Sequence, residues 1–262
     1  MTDIVLYDGA GTPSPRRVKL CLIEKGLPFK IKWLNLGLMD QKNPEYLKIS
    51  PTGLVPALVH KGRAIYESNV INEYIDAVYP NPPLVPKDPW GQAEMRMWFA
   101  FENDFAKPFR DSAYETFAKD RLKSSGLTAE KVREEIIKRT SNPSYANTAV
   151  QVLSTPRNEA LIQDRQLLLL EKMEQMEKRL SDGRRWLCGD HFTLADIALG
   201  PRVDMFPVIG VPDISQRFPR VGVFMAQLKA RPSWEKSALR PELGETERLV
   251  EGKVPANATL PE

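Results

Sequence analysis

Five prolines, Pro80, Pro82, Pro83, Pro86 and Pro89, fall within ten residues of one another. Each fixes its φ angle and offers no N–H, so neither a helix nor an interior strand runs through them. Residues 81–90 therefore read as an ordered, extended linker that divides the chain. The two sides carry different periods. Before the linker, residues 4–7 are a strand candidate and 15–25 a helix with Gly26 past its end. Phe29, Ile31 and Trp33 then alternate with lysines as a strand does. A short helix is expected around 40–48. Residues 57–59 and 64–66 flank Lys61-Gly62-Arg63, a hairpin signal. Ser68 opens a helix with Val70, Ile71, Tyr74, Ile75 and Val78 on one face. The order is βαβ followed by ββα, in residues 1–80. Residues 91–243 read as helical. Trp98, Phe101, Phe105 and Phe109 recur at helical spacing, and 162–180 is a long Leu-, Glu-, Lys- and Met-rich stretch. Thr193-Leu194-Ala195-Asp196 is a capping-box pattern with Asp in place of Glu, and 218–228 is a further helix. The tail 244–262 is polar and expected to be loose.

Composition excludes several classes. A net charge of +3 with interleaved signs argues against nucleic acid as a partner. No apolar run approaches the length of a membrane span, and the first residues lack a secretory pattern, so a cytoplasmic location is expected. Cys21 and Cys188 lie far apart in apolar contexts and read as reduced core cysteines. With His60 and His191 the only histidines, neither a metal site nor a histidine dyad is expected.

Thr12-Pro13-Ser14-Pro15-Arg16-Arg17-Val18 carries the chemistry. It joins a strand to a helix start, where the dipole favours negative charge, and supplies two hydroxyls. Leu54-Val55-Pro56 before a strand and Glu67-Ser68-Asn69 at another helix start complete a set suited to a small, charged, peptide-like ligand.

The chain resembles the cytosolic glutathione transferases along nearly its whole length. The marks are Thr12 followed five residues on by Arg17-Val18, then Glu24-Lys25-Gly26-Leu27. Ser50-Pro51-Thr52-Gly53-Leu54-Val55-Pro56-Ala57-Leu58, Glu67-Ser68 and Phe192-Thr193-Leu194-Ala195-Asp196-Ile197 follow in order. The resemblance implies an α/β thioredoxin-like N-terminal domain with a mixed four-stranded sheet, and an all-α C-terminal domain. It implies glutathione as co-substrate and a homodimer. It also implies a cis Val55–Pro56 bond presenting the Val55 backbone, Glu67 and Ser68 at the γ-glutamyl end, and Gln41 at the glycine carboxylate. Thr12 takes the thiol-activating position, with Ser14 as second donor or substitute; the alternative role for either hydroxyl is a helix cap alone. No cysteine stands at position 12, which disfavours disulfide exchange.

A thiol of pKa about 8.5 is only ~3% thiolate at pH 7, and lowering that pKa by two units takes about 2.7 kcal/mol. A hydrogen bond to a charged group supplies roughly 1.5–3 kcal/mol and a helix terminus about 0.3–1. A hydroxyl at a helix start is therefore enough. The aromatic stripe Trp98, Phe101, Phe105 and Phe109 is the expected electrophile pocket, with Tyr114 and Phe117 beyond it and Met205 and Phe206 as weaker candidates. Glu102 or Asp104 are the candidates for reaching a partner's site. Residues 118–164 are longer than the usual connection: 130–139 looks helical, and a polar segment runs on to 157. Such an insert resembles bacterial glutathione-dependent lignin β-aryl etherases and, less closely, dehalogenases. A non-catalytic carrier of hydrophobic ligands or glutathione conjugates is the alternative on the same fold.

Overall fold

The computed structural model describes residues 3–120, 126–140, 142–211 and 214–252. Parts of the 118–164 insert, at 121–125 and 141, and the tail beyond 252 lie outside the described residues. Strand β1 (Ile4–Asp8) leads to α1 (Pro13–Glu24), β2 (Phe29–Trp33) and the short α2 (Pro44–Leu47). Strands β3 (Ala57–His60) and β4 (Arg63–Tyr66) form the hairpin, and α3 (Ser68–Val78) follows. β1 is central, parallel to β2 and antiparallel to β3, with Leu6 opposite both Ile31 and Leu58. All three side chains are fully buried, as the period-two pattern requires.

The sheet has a fifth strand. β5, Glu247–Val250, pairs antiparallel with β2 and places Val250 opposite Phe29. The segment expected to be a loose polar tail thus covers the edge of β2. Glu247 and Leu249 are exposed while Arg248 and Val250 are half-buried, so no polar–apolar alternation marks the segment as a strand. It is the free edge of β2 that orders it.

α4 (Pro89–Ala113) is capped by Asp88 and continues into a π-helical turn at Tyr114–Ala118. Then come α5 (Ala129–Arg139), α6 (Ser144–Ser154), α7 (Glu159–Arg179), α8 (Leu194–Val203), α9 (Pro219–Lys229) and α10 (Pro232–Lys236). The capping box of α8 forms: Thr193 N–H donates to Asp196 Oδ2 at 2.7 Å. Asp196 Oδ1 also accepts from Leu187 N–H at 2.9 Å, tying the preceding turn to the helix start. α6 lies in the polar segment that follows the expected helix 130–139. Its Asn, Ser and Thr are weak helix formers, but Ala146 and Ala149 pack against Val132 and Ile136 of α5, and that burial outweighs propensity.

α1 starts two residues earlier than expected, because Pro13 fits the first helical position after extended Thr12. It is packed between α3 and α8, so its charged residues are buried or half-buried, with partners. Lys19 lies 2.7 Å from Asp8, Lys25 pairs with Asp76, and Glu24 pairs with Arg231 at 2.7 Å. No helix among the described residues is long and apolar enough to cross a membrane.

Candidate active site

A cleft of about 530 Å³ opens between the thioredoxin-like half and α4. Thr12, Ser14, Gln41, Val55, Glu67 and Ser68 all line it, although they come from separate segments of the chain. The Val55–Pro56 bond is cis. Before it, the Leu54 carbonyl accepts from Tyr46 Oη at 2.6 Å and Ser50 Oγ at 3.1 Å, which secures the turn presenting Val55. Glu67 has φ of 69°, a left-handed backbone unusual for a residue with a side chain. Such strain at a helix start marks a position held for its geometry. Ser68 begins α3, where the dipole favours an anion. Gln41 Oε1 is buried in the cleft wall with no hydrogen-bond partner among the described residues.

The two hydroxyls of the corner differ. Thr12 Oγ1 donates to the Gly9 carbonyl at 2.6 Å. Ser14 Oγ accepts from Arg202 Nη2 at 3.5 Å. Neither makes a side-chain cap to α1. Pro13 and Pro15 also remove two of the N–H groups that a helix start ordinarily offers. Attraction for an anion here therefore leans on side chains.

Those side chains include a buried ionic floor. Glu102 of α4 lies between Arg17 of α1, at 2.8 Å from Nη1, and Arg202 of α8, at 2.6 Å from Nε. All three are at most 5% exposed and line the cleft. Burial raises the pKa of Glu102, but the two guanidiniums outweigh it and hold the carboxyl below its ordinary value. Burial, with the neighbouring Arg17 charge, brings Arg202 down to about 10 against the pull of Glu102. Arg17 Nη1 also donates to Ser68 Oγ at 3.2 Å.

Glu102 therefore lies buried in its own cleft, and Asp104 pairs with Lys172 of α7 at 2.8 Å. The aromatic stripe is also placed differently from expectation. Trp98, Phe101 and Phe105 do not line the cleft; they form an edge-on series with centroids 5.2 Å apart that ends on Phe206. Trp98 Nε1 donates to the Leu187 carbonyl at 3.0 Å, inside the core. The cleft uses the neighbouring stripe of α4, Phe99, Glu102, Asn103, Ala106, Phe109, Arg110 and Ala113. One residue is about 100° of helix, so a core stripe and a site stripe lie side by side. Only Phe109 of the four expected residues reaches the cleft. Arg17 and Arg202 are not marked as site residues by the sequence, and Glu102 only as a candidate for a partner's site; the buried charge pairs that bring them into the cleft join segments far apart in sequence.

Neither thiol has the character of a nucleophile. Burial drives the pKa of Cys21 far up and that of Cys188 to about 11. His60 is held between Tyr74 Oη at 2.8 Å and Tyr79 Oη at 3.3 Å, away from the cleft, and burial lowers its pKa.

The chain matches the family model of the glutathione S-transferase N-terminal domain over residues 12–78 and that of the C-terminal domain over residues 159–226. It belongs to the glutathione S-transferase family. It is 26% identical over 234 residues to a glutathione S-transferase of Hyoscyamus muticus, covering 88% of this chain and 96% of that one. Over 86 residues, 32% of this chain and 34% of the other, it is 40% identical to Protein LigF of Sphingobium sp.. The solved structure of β-etherase LigF has the same fold, with a TM-score of 0.75 at 22% identity over 90% of this chain and 98% of that one. The glutathione transferase URE2P6 of Phanerochaete chrysosporium, solved with oxidized glutathione, superposes with a TM-score of 0.70 at 20% identity, covering 90% and 94%. Family membership gives this cleft a place in a glutathione transferase.

Proposed function

We propose that glutathione lies in the cleft with its sulfur at the Thr12–Ser14 corner and that a hydroxyl there holds the sulfur as thiolate. The convergence of Thr12, Ser14, Gln41, Val55, Glu67 and Ser68 on one cavity of about 530 Å³ carries this reading. Ser68 and the start of α3 take the γ-glutamyl carboxylate, Glu67 its amine, the Val55 backbone the cysteinyl unit, and Gln41 the glycine end. The thiol proton leaves to solvent, and the hydroxyl donates a hydrogen bond to the sulfur without taking the proton. The thiolate then bonds to an electrophilic carbon, whose leaving group departs with the electron pair.

The electrophile binds in a second cavity of about 740 Å³, lined by Ala10, Phe117, Pro207, Val208 and Pro241, with Thr116, Asp120, Arg157 and Arg240 as its polar groups. An aryl group suits its apolar walls. The LigF likeness favours an aryl ether, with displacement of a phenolate, over an aryl halide. A second copy docks on the face formed by exposed Tyr66, Val70 and Met97, which the Glu73–Arg96 pair at 2.8 Å draws together.

The protein is incubated with glutathione and an aryl halide, an α-keto β-aryl ether or a chlorinated hydroquinone. A thioether or dehalogenated product that disappears in the Thr12→Val/Ser14→Ala double variant is expected. Bound glutathione with no ultraviolet thiolate absorbance and no product would instead make the protein a ligand carrier.

A further inference from the structure

The cleft floor distinguishes the two corner hydroxyls, which the sequence leaves equivalent. A hydroxyl has one proton and two lone pairs. The Thr12 proton goes to the Gly9 carbonyl, at 2.6 Å. A guanidinium offers only N–H groups and accepts nothing, so the contact between Arg202 Nη2 and Ser14 Oγ uses a lone pair of the serine. It leaves the Ser14 proton for another acceptor, and Ser14 donates to no group among the described residues. Arg202 is not free to swing away. Its Nε is anchored on Glu102 at 2.6 Å, and its guanidinium lies over the Phe109 ring, 5.0 Å from the centroid. Glu102 is in turn held by Arg17, which also donates to Ser68. One buried chain, Ser68–Arg17–Glu102–Arg202–Ser14, thus joins the two ends of the cleft through α3, α1, α4 and α8.

We propose that Arg202 is a positioning residue that makes Ser14, not Thr12, the principal hydroxyl donor to the glutathione sulfur. The inference rests on glutathione occupying this cleft as described above. Its consequence is a fixed spacing. The residue that meets the γ-glutamyl carboxylate and the residue that meets the sulfur are braced by the same carboxylate, so both ends of the ligand are met by one rigid frame. The charged groups facing Arg202 are Arg17 on α1 and Glu102 and Arg110 on α4, with Glu67 at the rim.

The test is the apparent pKa of bound glutathione, read from ultraviolet thiolate absorbance against pH. Arg202→Lys keeps the positive charge but loses the fork that reaches Glu102 and Ser14 together. It is expected to raise that pKa by about one unit, which from about 6.5 is a roughly threefold loss of thiolate at pH 7. On a Ser14→Ala background the same change is expected to move nothing, because the group it positions is gone. An unmoved pKa in Arg202→Lys, or an equal shift on both backgrounds, overturns the proposal. Absence of thiolate in the glutathione-saturated wild type overturns the parent reading instead. Should Arg202→Lys not fold, Ser14→Ala and Thr12→Val decide: the proposal requires the larger upward shift from Ser14→Ala, and a larger shift from Thr12→Val sinks it.

Discussion

The cleft, which Thr12 lines, and the cavity, which Ala10 lines, are built on different plans. The cleft has a floor of buried, mutually paired charges and walls drawn from several segments. The cavity is lined by Phe117, Pro207, Val208 and Pro241, and its charges, the Asp120–Arg157 pair and Arg240, are exposed. Pre-paired groups fix the geometry before a ligand arrives, which suits a co-substrate that never changes. An open apolar wall adapts to shape at small cost, which suits a variable electrophile.

That contrast is tested most severely by removing its charged centre. Glu102→Ala leaves two buried guanidiniums without their shared carboxylate and is expected to cost about 3–5 kcal/mol in chemical denaturation. Arg240→Ala on the cavity side is expected to stay within about 0.5 kcal/mol. Equal losses would erase the distinction. The same carboxyl gives a pH signature. Its folded pKa lies below the ordinary value of 4.5, so its contribution is present above that pH and is lost as pH falls through the folded pKa. Wild-type stability should therefore drop more steeply below about pH 4.5 than that of Glu102→Gln.

Smaller effects sharpen the division of labour. Ser68→Ala removes a hydroxyl contact to a charged ligand group and should raise the glutathione Kd about tenfold in calorimetry, since such bonds are worth roughly 1.5–3 kcal/mol. Val208→Asp places a charge in the apolar wall and should lower kcat/KM for a neutral aryl electrophile about tenfold, leaving the glutathione Kd unchanged. A shift in that Kd would merge the two cavities into one site. The weakest effect concerns the insert. Arg139 of α5 bonds Asp40 at 3.1 Å, and Met39 packs on the α5–α6 cluster, beside Gln41. Arg139→Ala should raise the glutathione Kd by less than about threefold, as half-exposed ion pairs contribute about 0–1 kcal/mol.

Much of this was readable in the chain itself. Strand alternation, the capping box at Thr193, the proline linker and the three polar motifs are local patterns, and local patterns set period, helix starts and backbone geometry. They sufficed for the order of elements other than β5 and α6, and for six residues that line the cleft. Trp98, Phe101 and Phe105 do not line the cleft as expected, because their helical spacing is the same whether they face a ligand or a core. Only the packing of Phe206 and Leu187 against them decides which.

What the sequence alone determined, then, was where the hydroxyls, the Val55–Pro56 turn and the Glu67–Ser68 helix start stand along the chain. Tertiary structure decided which stripe of α4 meets the cleft, that residues 247–250 close the sheet, and which neighbour each hydroxyl has. Arg202 and Ser14 are 188 positions apart. No periodicity or spacing encodes such a contact, because it exists only once α1, α4 and α8 have packed and the buried charges between them have had to find one another.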